Sequence, residues 1–399
     1  MNVILITRQF PYGGNETFLE TEIKYLSQHF DSVTIYPSTK CQRMRKVPMN
    51  VKVDNLIAEE YSKRIKWILK TLLSFDMYFT FLRYIKQLKT RKSLWYLFKY
   101  CVSYNIYAFF CKKAALDYES KTLFYSYWFN PFVDIAAKKI NTSHLVTRVH
   151  RGDLYEDISE LGFFPYREST IRKIRKIFPI SEAGTGYLQA KYKIENISTS
   201  RLGISNEPHI VSRASDSIHE LCIISVSNII PVKRVDFIAK CLTKYAEQHP
   251  EINVNWIHYG DGKEIYNVNK IVAQYGVANF IHKFPGRVKN TLIYEYFKTH
   301  PVDIFINLSK SEGIPVSIME AISYGVPIIA TDVGGTNEIV NSSTGILLAS
   351  SPTEKEVIDA IDNLRVEPKD RNIIKDFWFE NFNSDNNYVT FCRALKELI

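Results

Sequence analysis

One stretch decides the fold: Asp303-Ile304-Phe305-Ile306-Asn307-Leu308-Ser309-Lys310-Ser311-Glu312-Gly313-Ile314-Pro315-Val316-Ser317-Ile318-Met319-Glu320-Ala321, followed by Gly325-Val326-Pro327. Ile304–Leu308 is a short apolar run that reads as a buried strand, and Ser309–Ile314 has turn composition. Pro315 suits the first helical position, where its missing N–H costs nothing. The helix Val316–Tyr324 then stops at Gly325, and Pro327 opens the next strand. A strand feeding a helix in this way aims free backbone N–H groups of Gly313, Ile314, Val316 and Ser317 at whatever lies over the strand end. Such a site suits a diphosphate. Glu312 in the turn and Glu320 in the helix belong beside an anion only if the ligand also carries hydroxyls, which carboxylates accept. The pairing points to a nucleotide sugar, although a turn glutamate and a solvated helix glutamate would give the same bare spacing.

The same alternation extends in both directions. Val3–Thr7, Ser32–Tyr36, Leu123–Ser126, Leu145–Val149, Lys176–Ile180, Leu221–Val226 and Val254–His258 precede this stretch, and Pro327–Thr331 and Gly345–Leu348 follow. Short apolar runs separated by helix-length segments imply an α/β fold, parallel sheets covered by helices on both faces. The 399 residues suit two such domains, 1–205 and 206–377, joined near Gly203–His209, with a C-terminal helix over 378–399 packing back on the first. Ligands of open parallel sheets bind beyond the carboxyl ends of the strands. Candidate chemistry is therefore sought just after each run.

Residues 1–205 hold 32 Lys and Arg against 18 Asp and Glu, and residues 206–399 hold 19 against 24, so the formal net charge of +9 belongs to the first half. Between Lys63 and Lys99 there are ten basic residues against Asp76 alone, with Trp67, Phe75, Tyr78, Phe79, Phe81, Tyr84, Trp95, Tyr96 and Phe98 interleaved. Basic helices with aromatic faces suit an anionic membrane surface. The other reading is an aromatic core under a solvated basic face. No nucleic-acid motif accompanies the charge, so nucleic acid is not an expected partner. Cys41, Cys101, Cys111, Cys222, Cys241 and Cys392 stand far apart, which argues against a zinc site or a disulfide framework and for a reducing compartment. The opening apolar run is cut by Arg8, too early for a signal peptide. Leu94–Cys111, broken by Lys99, Ser103 and Asn105, falls short of a membrane span. The expectation is a cytoplasmic protein, peripheral on the inner face of the plasma membrane.

A second constellation, Ser225-Val226-Ser227-Asn228-Ile229-Ile230-Pro231-Val232-Lys233-Arg234, follows the Leu221–Val226 run. A lysine at such a turn can neutralise a diphosphate as charge builds on a leaving group. Together with Ala330-Thr331-Asp332-Val333-Gly334-Gly335-Thr336-Asn337-Glu338, the run from Ser311 to Pro327 resembles the E-x7-E region of the retaining GT-B glycosyltransferases of family 4, the group 1 family. The resemblance implies two Rossmann-like domains with parallel sheets facing across a cleft, and transfer of a sugar from a UDP- or GDP-sugar with retention of configuration. It implies that Glu312 holds donor-sugar hydroxyls and Glu320 the ribose. Lys233 matches the family's phosphate-binding lysine, with Arg234 beside it. Asn228 stands where an arginine is usual, so one positive charge is missing.

Gly13 and Gly14, in Phe10-Pro11-Tyr12-Gly13-Gly14-Asn15-Glu16-Thr17-Phe18, resemble the family's N-terminal glycine loop, near the donor phosphates and the acceptor. His150, in Thr147–Tyr155, resembles a histidine that contacts the donor sugar, with Arg151 and Asp153 as candidate acceptor contacts; a lone histidine is otherwise most often structural. Tyr259–Glu264 matches a family turn, and Arg287 in Phe284–Val288 falls where the family places backbone beside the base. His150, Lys233 and Glu312 are thus the catalytic candidates. The chain has no D-x-D. A site that neutralises phosphate with lysine, N–H groups and helix dipoles needs neither metal nor cofactor, and none is expected.

The resemblance is strong over 220–345, moderate at 1–30 and 123–205, and nearly absent between Pro48 and Lys121. With the basic first half it implies a saccharide acceptor, lipid-linked, in capsule, exopolysaccharide or O-antigen assembly. The competing reading is a non-catalytic nucleotide-sugar-binding or scaffold subunit, for which Asn228 is the sequence support. An NAD-dependent oxidoreductase fits worse, because Phe10–Gly14 is not G-x-G-x-x-G.

Overall fold

A computed structural model describes residues 1–14, 16–114, 121–207 and 209–398. Asn15 of the glycine loop and Pro208 of the join lie outside the described residues, as does Ile399 at the end of the expected last helix. The chain divides into two compact units: Met1–Gly203 with Ser384–Ile399, and Ile204–Asn383.

The first unit runs β1 (Asn2–Thr7), α1 (Leu19–His29), β2 (Ser32–Pro37), β3 (Val51–Val53), α2 (Leu56–Ser62), α3 (Arg64–Leu72), α4 (Phe75–Tyr84), α5 (Arg91–Ala114), β4 (Thr122–Ser126), α6 (Pro131–Lys139), β5 (Leu145–Val149), α7 (Arg151–Leu154), α8 (Arg167–Ile171), β6 (Lys176–Pro179) and α9 (Glu182–Tyr192). The second runs β7 (Glu220–Val226), α10 (Val235–Gln248), β8 (Asn253–Tyr259), α11 (Ile265–Tyr275), β9 (Phe280–Gly286), α12 (Asn290–Thr299), β10 (Ile304–Asn307), α13 (Val316–Ile322), β11 (Ile328–Thr331), β12 (Gly345–Leu348), α14 (Glu354–Val366) and α15 (Arg371–Phe382). Helix α16 (Ser384–Lys396) belongs to the first unit.

Each unit holds a six-stranded sheet, ordered β3-β2-β1-β4-β5-β6 and β12-β11-β10-β7-β8-β9. Every strand pair is parallel. Counted within its own unit, each sheet has the doubly wound order whose reversal opens a crevice between its first and fourth strands. Those strands are β1 and β4 in one unit, β7 and β10 in the other. Inner strands β4, β5, β10 and β11 are buried along their whole length, which is why they read as continuous apolar runs rather than alternating ones.

The ten runs read from the sequence all form strands. β3 and β9 are additional. Both lie at sheet edges; β3 has only three residues, and Ile281, His282 and Lys283 of β9 face solvent. Neither leaves an apolar pattern to read. Two further expectations are corrected. Pro315 has extended backbone and caps α13 from outside, its carbonyl accepting from the N–H groups of Ile318 and Met319. The single helix expected over 378–399 is broken at Asn383, whose extended backbone pairs with Ile204 while the Ile204 N–H takes the Phe382 carbonyl.

On one face of the first sheet, α16 closes the core: Phe391, Cys392 and Leu395 pack with Leu19, Ile23 and Leu26 of α1 and with Leu5 and Tyr125 of the sheet. Beneath them lies a fully buried ion pair, Arg148 Nε to Glu22 Oε2 at 3.2 Å. Tyr125 donates to Glu22 at 2.6 Å, Arg148 donates to the Ser200 carbonyl at 2.7 Å, and the Phe391 ring covers the guanidinium at 4.0 Å. A buried charge that keeps its partner is tolerated; one that loses it is not. Glu22→Ala is therefore expected to cost about 3–5 kcal/mol, read as a fall in the calorimetric transition of the first unit, whereas Glu20→Ala on the solvent side of α1 should leave that transition in place.

Candidate functional site

The turn after β7 and the turn after β10 meet. Lys233, which ends the 3-10 turn Pro231–Lys233, places Nζ 2.5 Å from Glu312 Oε1. Asn307, the last residue of β10, donates to the same oxygen at 3.3 Å. The two residues lie far apart in sequence; the strand order makes them neighbours. The backbone ties the turns as well, since the Lys310 N–H donates to the Val232 carbonyl at 2.8 Å. Behind the turn, Thr331 donates to the Ser309 carbonyl at 2.6 Å and Gly335 N–H to the Gly313 carbonyl at 2.6 Å. Among the described residues, the N–H groups of Gly313, Ile314, Val316 and Ser317 have no hydrogen-bond acceptor. They remain the ligand-free donors that a helix start leaves.

Glu320, about one turn along α13 from that start, is buried at 5% exposure. This excludes the reading of a solvated helix glutamate. Its Oε1 accepts from Asn290 Nδ2 at 2.8 Å and from the Tyr294 hydroxyl at 2.6 Å, both on α12. Burial pushes its carboxyl up to about 7, against those two hydrogen bonds, which favour the charged form. The phenol of Tyr294 is itself pushed up, first by burial and then by the neighbouring carboxylate.

Arg234 is placed differently from the expectation. Its backbone is left-handed (φ 48°) and its guanidinium donates to the carbonyls of Leu308, Ser309 and Ser350. It braces the β10 turn from behind. Asn228 is exposed at the end of β7, and Arg287 is exposed just past β9. The second unit thus brings Lys233, Glu312 and the bare N–H groups together, with Glu320 on the same short helix.

In the first unit, Gly13 adopts φ +64°, and a Cβ there would fall 2.4 Å from the Gln9 side chain; Gly14 is exposed. Glu16 pins this loop, its carboxylate accepting from the N–H groups of Arg8, Gln9 and Phe10 and from the Trp128 indole. His150 follows β5 as the cap of α7, and its ring packs against Tyr127 and Trp128 at centroid distances of 4.6 and 4.4 Å. Neither ring nitrogen has a hydrogen-bond partner among the described residues. Burial, with Arg148 and Arg8 nearby, pushes the imidazole down to about 3, so it is neutral at any physiological pH.

Asp153, expected as an acceptor contact, is instead an internal brace: its carboxylate accepts from the N–H groups of His150 at 2.7 Å and Phe129 at 2.5 Å. It caps the start of α7 and ties that helix to the loop after β4. Arg151 is half-buried at the first position of α7. Among the described residues, no group of three or more His, Cys, Asp and Glu side chains is placed to hold a metal ion.

Four residues that the sequence reading gave no role shape the site: Asn307, Asn290, Tyr294 and Gly334. The first three act through side-chain geometry, which spacing does not disclose. Gly334 was legible in principle as half of a Gly-Gly pair after β11. It has φ +58°, and a Cβ there would sit 2.1 Å from the Glu312 carbonyl oxygen. No other residue type allows the two turns to approach so closely.

The raised Glu320 carboxyl has a measurable consequence. The native state holds this proton to about pH 7, while the unfolded chain releases it near 4.5, as an ordinary glutamate does. Glu320 therefore contributes most below pH 4.5, and that contribution is lost as pH rises through about 7. The loss is on the order of 3 kcal/mol. Glu320→Gln should flatten this part of the stability–pH curve in thermal melts taken from acid to neutral pH; an unchanged slope would assign it to other groups.

Comparison with known proteins agrees with this geometry. Residues 215–377, all in the second unit, match the family model described as "Glycosyl transferases group 1". An uncharacterized glycosyltransferase of Haemophilus influenzae is 23% identical over 196 residues, covering 49% of this chain and 52% of that protein. The O-antigen biosynthesis glycosyltransferase WbnH of Escherichia coli is 26% identical over 177 residues, covering 44% and 47%. The chain thus spans about half the length of the curated relatives it matches. Among solved structures, Anabaena Alr3699/HepE in complex with UDP aligns over 100% of both chains with a TM-score of 0.64 at 15% identity, which speaks for the fold alone. The second unit thus matches the group 1 pattern over residues 215–377, and the two parallel-sheet Rossmann-like units have the GT-B fold.

Proposed function

We propose that this chain transfers a sugar from a UDP- or GDP-sugar to a hydroxyl of a saccharide acceptor, lipid-linked and at an anionic membrane surface, during cell-surface polysaccharide assembly. The observation that carries the proposal is the 2.5 Å meeting of Lys233 with Glu312 beside the bare N–H groups that open α13. An ammonium and a carboxylate in contact are a resting state that a nucleotide sugar can exchange. The diphosphate takes the lysine and the N–H groups, and the released carboxylate accepts hydroxyls of the sugar. Glu320 serves the ribose, its carboxyl oxygen accepting from the hydroxyls. The relatives' names, among them O-antigen biosynthesis, and the UDP in the HepE structure support this choice of donor and pathway.

In the step proposed, the bond between the anomeric carbon and the diphosphate oxygen breaks while the acceptor oxygen bonds to that carbon from the same face. The acceptor proton passes to the departing phosphate oxygen, so configuration is retained and no enzyme carboxylate is alkylated. Lys233 and the N–H groups stabilise the charge that develops on the leaving group, with neither metal nor cofactor required. For the first unit, the Gly13–Gly14 loop and neutral His150 are assigned to the sugars by resemblance, with Arg151 the remaining acceptor candidate.

Lys233→Ala is expected to lower turnover about 10²–10³-fold and to abolish the thermal stabilisation that UDP or GDP gives the wild type without metal. Glu320→Ala should weaken nucleotide binding in the same melts. Transfer should persist in EDTA. A wild type unmoved by UDP, GDP, ADP and CMP would favour the scaffold reading, and a strict requirement for Mg²⁺ would overturn the metal-free mechanism.

A further inference from the structure

Helices α3 and α4 each carry two apolar stripes. One stripe on each is buried: Trp67 and Thr71 on α3, Met77, Thr80 and Tyr84 on α4. Both helices pack on α5. Trp67 meets Phe109 edge-on at 5.7 Å, and Asn105 donates to Thr71 at 3.1 Å. The other stripes point away from that packing. Ile65, Leu69 and Leu72 recur at helical spacing along α3, and Phe75, Phe79 and Leu82 do so along α4, all exposed. Leu73 between the helices is 83% exposed and Phe75 is 81% exposed. A stripe of this length left in water on two consecutive helices marks an interaction face.

The charge around it decides what the face meets. Lys63 and Lys66 pair with Glu60, each at 2.7 Å, and Lys92 pairs with Glu160 at 2.8 Å. Among the described residues, Arg64, Lys70, Lys86, Lys89, Arg91 and Lys99 have no ion pair, and all six are exposed. An apolar face on a segment whose unpaired basic residues outnumber Asp76, the acidic residue exposed on α4, carries net positive charge that opposes a second copy of itself. It complements a surface that is apolar below and anionic above.

Among the described residues no helix is long and apolar enough to cross a membrane, and α3 and α4 have only nine and ten residues. We propose that the outer stripes of α3 and α4 enter the headgroup layer of an anionic bilayer, with the unpaired basic side chains on lipid phosphates. This deepens, and rests on, the membrane-surface reading above: the contact is insertion of named apolar side chains, not electrostatic adsorption alone.

The test uses the full chain in flotation with two kinds of vesicle, phosphatidylcholine alone and phosphatidylcholine with phosphatidylglycerol in equal parts. Wild type is expected to float only with the mixed vesicles. Leu73→Gln with Phe79→Gln, and separately Lys86→Gln with Lys89→Gln, should each weaken binding about tenfold or more. Salt should disrupt wild-type binding only in part, because the apolar contact does not screen. Wild-type affinity in the apolar variant, or complete release by salt, overturns insertion. Equal flotation with neutral vesicles overturns the anionic requirement. No flotation, with a concentration-dependent dimer that the apolar variant dissolves, assigns the face to a second copy and overturns the proposal. Nucleotide stabilisation is read on the same samples: if it persists while flotation fails, this inference alone falls, and if it is absent, the transfer reading falls independently.

Discussion

A parallel strand cannot be rejoined by a tight turn. Each must be followed by a crossover that returns the chain to the same starting edge, and each crossover leaves its loop at the carboxyl edge of the sheet. Where the winding reverses, two neighbouring strands send their crossovers to opposite faces, and nothing fills the space above them. In the second unit those strands are β7 and β10. The lysine after one and the glutamate after the other therefore reach the same point from different parts of the chain. The close approach of the β10 and β11 turns, with Gly334 against the Glu312 carbonyl, completes the wall. Every feature of the candidate donor site depends on that reversal.

The electrostatics follow the same geometry. Lys233 and Glu312 neutralise each other at a partly open position, so neither charge is stranded while the site is empty. Among the described residues, Glu320 has no ion-pair partner. Burial drives its proton on, and two neutral donors from α12 offset only part of the cost. A carboxyl held near neutrality can change its charge state with a ligand's hydroxyls, whereas an exposed glutamate is ionised throughout. The N–H groups between the two glutamates supply positive potential without a side chain, which is how an anion and two carboxylates can share one short segment.

The first unit uses buried charge in another way. Arg148 and Glu22 face each other in a dry layer closed by Phe391, which joins β5, α1 and α16 through one interaction. Asp153 and Glu16 are carboxylates of the same kind: each is filled by backbone N–H groups and holds a loop in place. Their chemistry is positional. His150, next to these braces, differs from them: among the described residues its ring nitrogens have no hydrogen-bond partner, and its ring packs against Tyr127 and Trp128.

The sequence by itself determined the class of fold, because buried parallel strands are written as continuous apolar runs and ten of the twelve were legible. β3 and β9 were not: β3 has only three residues, and Ile281, His282 and Lys283 of β9 face water, so neither carries an apolar run. It also singled out Lys233 and Glu312, which sit where strands give way to helices, and Glu320 on the helix that follows. Tertiary structure alone decided what each residue does there. Arg234 and Asp153 had the right neighbours in sequence and turned to backbone partners. Asn290, Tyr294 and Asn307 had no pattern to announce them and became the partners of the two glutamates. The aromatics between Lys63 and Lys99 were divided between core and surface by the helix faces that α5 covers. Local pattern records which faces are apolar and where turns fall; the direction of a side chain and the identity of its partner are set by packing across the chain, which no local pattern contains.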